Sequence, residues 1–85
     1  MMIMDIKKGQ IVASKAGHDS GRFFIVTDYS DGYVYLADGN ERKLKFPKKK
    51  NPKHIAVTKT VVEIPASDKK LRKLLGNFNR LIRED

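Results

Sequence analysis

The chain has 85 residues, with 18 Lys and Arg against 10 Asp and Glu, a formal net charge of +8 and no cysteine. That length leaves room for one compact domain and makes a deep catalytic cavity a poor expectation. Disulfides and thiolate-ligated zinc are excluded, so a modest apolar core has to carry the fold.

The opening run, Met1 to Lys8, places Asp5 inside a very short apolar stretch and then turns basic, which does not make a signal peptide. No stretch is long enough to span a bilayer, and the chain reads as cytoplasmic. Gly9 to Ser14 carries Ile11 and Val12 into a first short strand, and Lys15 to Gly21 reads as a loop held by two glycines. After Arg22, the aromatic and β-branched run Phe23 to Thr27 predicts a second strand that runs on through Asp28 and Tyr29. Asp31-Gly32 is a hairpin signal, because both central residues of a type I′ turn take positive φ. Tyr33 to Leu36 is the returning strand, with Val34 and Leu36 on one face and Tyr33 and Tyr35 on the other.

Asp38-Gly39-Asn40 repeats the turn chemistry. Arg42 to Phe46 alternates basic with apolar residues and predicts a fourth strand with a charged outer face. Pro47 to Pro52 encloses Lys48-Lys49-Lys50-Asn51 and reads as an exposed loop, since neither proline can donate to a sheet ladder. A final strand is expected from Ile55 to Ile64, ended by Pro65. The last segment is the clearest helix, entered at Ser67 as N-cap with Asp68 near the positive end of the dipole. Leu71, Leu74, Leu75, Phe78, Leu81 and Ile82 share one arc, while Lys69, Arg72, Lys73, Arg80 and Arg83 share the opposite one. Gly76 marks either a close approach to the sheet or a weak spot. The expectation is a mainly β fold: a small barrel over 1–66, with a C-terminal amphipathic helix over 67–85 laid against it in a single domain.

Charge is distributed unevenly. Up to Glu41 there are four basic residues against six acidic ones, and from Arg42 onward fourteen against four. Between Arg42 and Val62 there is no acid at all, so a polyanion is the natural partner. A single-sign run can also serve only to solvate a small protein.

The pattern Lys8-Gly9-Gln10-Ile11-Val12, then Gly17, then Gly21-Arg22, then Val26, resembles the KOW motif of several ribosomal proteins and transcription elongation factors. The similarity extends through Ser14 to Arg22, Tyr33-Val34, Ala37-Asp38-Gly39 and Pro47 to Ile55 with Thr58. In these stretches the chain resembles KOW-containing large-subunit ribosomal proteins of archaea and eukaryotes and their small bacterial relatives. It covers roughly Lys8 to Thr60 and leaves out the C-terminal helix. The resemblance implies an SH3-like β-barrel of the translation-protein type, RNA as ligand and a ribosomal setting.

On that basis the RNA-binding candidates are Lys15, Gly17, His18, Gly21 and Arg22 in the first loop. Arg42, Lys43, Lys45, Lys48, Lys49, Lys50, Lys53 and His54 follow in the basic stretch. Glycines at both ends of the first loop would let phosphate approach the backbone, with exposed loop amides as donors. Tyr33 and Tyr35 are candidate base-stacking residues, although outer-face tyrosines also serve as cross-strand packing. Phe23 and Phe24 read as core, and Phe46 fits either role. His18 and His54 match no metal-binding spacing, and no nucleophile motif accompanies them. The expected function is therefore non-enzymatic: binding of RNA, ribosomal RNA first, with ribosomal proteins as further partners. No cofactor, small-molecule substrate or membrane is expected. The alternative is a KOW-type protein-interaction module docking on a translation or transcription partner. A basic amphipathic helix can also lie on an anionic membrane, but here its apolar arc is needed to cover the barrel.

Overall fold

The computed structural model describes residues 6–15, 17 and 20–83, with side chains as far as Phe78. Ala16, His18, Asp19 and the side chains of Arg80, Leu81, Ile82 and Arg83 lie outside the described residues. Five antiparallel strands form one sheet: β1 (Gln10–Ser14), β2 (Phe23–Ser30), β3 (Tyr33–Ala37), β4 (Lys48–Lys50) and β5 (Ile55–Val61). Their order is β4-β3-β2-β1-β5. A short 3-10 helix, Pro52–His54, leads into β5, and one α-helix, α1 (Asp68–Arg83), follows the sheet.

Both faces of the sheet are buried, which follows from strands that are apolar at consecutive positions. Val12, Phe24, Val26, Val34, Leu36 and Ile55 pack together on one face. Ile11, Ile25 and Ala37 face the other way and meet Leu71 and Leu75 of α1, with Phe23, Leu74 and Phe78 at the margin. Phe23 and Phe78 meet edge to face, 5.0 Å between ring centroids, an arrangement aromatic quadrupoles favour. Each fully buried Leu, Ile or Phe contributes about 1.5–3 kcal/mol, so the helix face is a substantial part of the core. Among the described residues no helix is long and apolar enough to cross a membrane.

The predicted hairpin is present. Asp31 (φ 53°) and Gly32 (φ 82°) both occupy the left-handed region between β2 and β3. Two register shifts bend the sheet, between Val26 and Asp28 in the β2–β3 ladder and between Gln10 and Val12 in the β1–β5 ladder. At the second, Gln10 Nε2 donates to the Thr58 carbonyl at 2.8 Å and Thr58 Oγ1 to the Ile11 carbonyl at 2.7 Å, pairing groups that a regular ladder would have used.

Three expectations from the sequence are corrected. The segment Arg42 to Phe46 is not a strand. Asp38 Oδ1 accepts the N–H groups of Asn40 and Arg42, both at 2.9 Å, and turns the chain. A second turn closes from the Phe46 N–H to the Lys43 carbonyl at 2.9 Å. The fourth strand lies instead at Lys48–Lys50, in the stretch read as an exposed loop, paired Leu36↔Lys48, Tyr35↔Lys49 and Val34↔Lys50. Pro47 and Pro52 flank this strand rather than interrupt it, and lysine is a residue that edge strands tolerate well. Finally, β5 ends at Val61 rather than running to Ile64.

At the helix start, Ser67 Oγ accepts the Lys70 N–H at 3.2 Å, the N-cap expected from sequence. A Cβ at Gly76 would meet nothing within 4 Å, so of its two readings the weak spot stands.

Candidate nucleic-acid interface

The antiparallel order brings the C-terminal ends of β1 and β3 to the same end of the sheet as the starts of β2, β4 and β5. The loop after β1, the loop after β3 and the 3-10 helix therefore converge there. These three segments carry most of the candidate cations.

The loop after β1 closes on itself: the Gly21 N–H donates to the Ser14 carbonyl at 2.8 Å, and the Ser20 N–H to the Gly17 carbonyl at 3.1 Å. Gly17 (φ 77°) and Gly21 (φ 87°) are both left-handed, with no neighbour within 4 Å of a Cβ. Backbone conformation, not crowding, requires glycine there. These bonds engage the Ser20 and Gly21 amides within the loop. At the loop's base the Lys15 N–H donates to the His54 carbonyl at 2.8 Å.

That bond joins the first loop to the 3-10 helix. Asn51 caps the helix by accepting the Lys53 N–H at 2.9 Å on its side chain, and Pro52 occupies the first turn, where no N–H is needed. Lys15, Lys53 and His54 are all exposed. Two segments some forty residues apart are thus joined through their main chains.

The three lysines of β4 do not sit in equivalent positions. Strand alternation turns Lys49 outward with Tyr33, its Nζ 4.5 Å from the ring centroid. Lys48 and Lys50 are half-buried and pair with Leu36 and Val34, so their stems lie on the core side. Of the tyrosines, Tyr33 is exposed, whereas Tyr35 is half-buried and its carbonyl accepts the Thr27 hydroxyl at 3.2 Å.

Arg22 faces the loop after β3. Its guanidinium lies 3.6 Å from Asp38 and 3.4 Å from Glu41, so part of its charge is already answered within the chain. Arg42, Lys43, Lys45 and Phe46 are exposed on that loop, Phe46 at 77%. Leu44 between them turns inward toward the helix-side core. A groove of about 300 Å³ separates the loop from α1, lined by Arg22, Asp38, Asn40 and Arg72 among others. Arg72 donates to the Gly39 carbonyl at 2.7 Å and so joins α1 to the loop.

The arrangement supplies positive charge and hydrogen-bond donors on exposed, backbone-anchored loops. Sequence reasoning did not single out Tyr29, which is 52% exposed and shares the Val34 side of the sheet through the pair Tyr29↔Val34. The register shift at Val26/Asp28 adds one residue and reverses the alternation counted from Phe24 and Val26, so simple period-2 counting misplaces it. The internal partners of Arg22 had one sequence signal, the Asp38-Gly39-Asn40 turn, read there only as a bend. Compared with known proteins, the chain matches no family model and no curated sequence.

Proposed function

We propose that this chain is a KOW-type RNA-binding module on an SH3-like barrel, acting non-enzymatically in the cytoplasm on ribosomal RNA. The observation that carries the reading is the 2.8 Å bond from the Lys15 N–H to the His54 carbonyl. It holds the glycine-bounded loop against the basic stretch, so that both can contact one phosphate backbone. The barrel is supported by the strand order with β5 returning beside β1, by the bent β2, by an apolar cluster enclosed on one face, and by the 3-10 turn before β5.

Phosphates are the main contact in this reading: Lys15, Lys53 and Lys49 neutralise them, His54 offers a hydrogen bond, and Arg42, Lys43 and Lys45 extend the path. The test is filter binding of ribosomal RNA fragments over a range of salt concentrations. With four or five phosphate contacts, log K falls against log salt with a slope of about −3 to −5. Absence of RNA binding at low salt, together with a purified protein partner, would replace this reading with the protein-docking one.

A further inference from the structure

A groove of about 380 Å³ opens beside the β2–β3 hairpin, lined by Ile6, Tyr29, Asp31, Tyr33, Val34 and Pro52 among others. Its size falls within the range of small-molecule sites, about 300–1,000 Å³. Two rings and a proline leave apolar surface in water: Tyr29 is 52% and Tyr33 38% exposed. The rim is cationic on the side of the basic track. Lys53 follows Pro52 in the 3-10 helix, whereas Lys49 stands over Tyr33 on the other face of β3. Asp31, at the tip of the hairpin, also lines the groove.

We infer that this groove takes one unpaired base of a bound RNA strand, stacked on Tyr29 beside Pro52, with a flanking phosphate on Lys53. The inference rests on the RNA-binding reading and adds base recognition to it. Aromatic rings hold any base by its π face, while cations at the rim hold the adjoining backbone. Pro52 links the two functions, since it lines the groove and begins the helix whose last residue meets Lys15. Asp31 supplies the selectivity. An ionised carboxylate only accepts hydrogen bonds, so it favours the amino edges of guanine, adenine and cytosine. Uracil has a single N–H between two carbonyls and is disfavoured.

The experiment uses the whole chain and a short RNA hairpin carrying 2-aminopurine in its loop, beside a blunt duplex of similar length. Binding is expected to quench the loop fluorophore. Tyr29→Ala is expected to weaken hairpin binding about tenfold and leave duplex binding unchanged, with Tyr29→Phe behaving as the original chain. Because Tyr29 is exposed, circular dichroism should be the same for all three. Asp31→Asn keeps a residue that tolerates positive φ and is expected to reduce the discrimination against uracil in the loop. Equal binding of the Tyr29→Ala and original chains to both RNAs, with the salt slope intact, overturns the base site while leaving phosphate binding standing. No binding to either RNA overturns the reading beneath it. Tyr29-dependent binding of a proline-rich peptide, with RNA binding independent of Tyr29, assigns the groove to a protein ligand and also overturns the inference.

Discussion

Asp68 Oδ1 accepts the main-chain N–H of Leu44 at 2.8 Å, so the first turn of α1 holds the loop that presents Arg42, Lys43 and Lys45. The helix thereby does more than cover the sheet. Without the carboxylate, a half-buried amide loses its partner and the helix loses an acid near its positive end. Asp68→Ala is expected to lower stability by about 1–2 kcal/mol, read by urea unfolding, and to speed hydrogen exchange at the Leu44 amide. Asp68→Asn keeps an acceptor and should fall between. An unchanged exchange rate at Leu44 in the alanine variant would show that this bond does not hold the loop.

Two glycines on this side of the molecule predict opposite outcomes for the same substitution. A Cβ on Gly39 would stand 2.5 Å from the Asp68 carbonyl oxygen, and its φ of 80° is left-handed. Both obstacles are backbone, so Gly39→Ala should cost at least about 2 kcal/mol by forcing the helix start away from the loop. Gly76 is exposed within α1 and open around its Cβ. Gly76→Ala should stabilise by about 0.5–1 kcal/mol, which for a domain of this size raises Tm by several degrees. Thermal unfolding of the two variants checks both. A destabilised Gly76→Ala would mean the helix needs flexibility at that point.

Where local chemistry decides the structure, the sequence is readable. The Asp31-Gly32 hairpin, the apolar core positions of β1 to β3 and the Ser67 cap follow from turn residues, β-branched runs and helical spacing. Where a distant partner decides, it is not. Arg42 to Phe46 alternates as a strand would, but Asp38 beneath it and Asp68 far along the chain take its amides at Arg42 and Leu44. Lys48–Lys50 has poor strand propensity, yet β3 offers it a free edge. The convergence of Lys15 with His54 follows from β5 pairing with β1, a long-range fact that residue order alone does not reveal. Arg22 was legible as a cation but not as one already engaged by Asp38 and Glu41.

That engagement predicts a gain of function. Glu41 is exposed, 3.4 Å from Arg22, and its charge both occupies the arginine and repels an approaching phosphate. An exposed pair of this kind contributes at most about 1 kcal/mol to stability, so Glu41→Gln should leave Tm nearly unchanged. RNA affinity should rise at low salt, and the slope of log K against log salt should steepen by about one as Arg22 joins the interface. Asp38 is different, because its buried carboxylate holds the Asn40 and Arg42 amides and Asp38→Ala should disrupt the loop. An unaltered salt slope in Glu41→Gln would place Arg22 away from the RNA.

The lysines of β4 separate binding from folding. Had they formed a free loop, reversing all three charges would weaken RNA binding and leave stability alone. As a strand they divide. Lys49 is exposed and its head group lies over Tyr33, an interaction of about 0.5–1 kcal/mol. Lys49→Glu should therefore reduce RNA affinity and flatten the salt slope by about one, with a small loss of Tm. Lys48 and Lys50 are half-buried beside Leu36 and Val34, where a shorter, negatively charged side chain covers less apolar surface and reaches water less easily. Lys48→Glu and Lys50→Glu should lower Tm more than Lys49→Glu does, and the triple reversal should lose both binding and stability. Measuring Tm and salt slope on the same three single variants gives the comparison. Equal Tm losses at all three positions would mean that β4 does not alternate its lysines between water and the core side of the sheet.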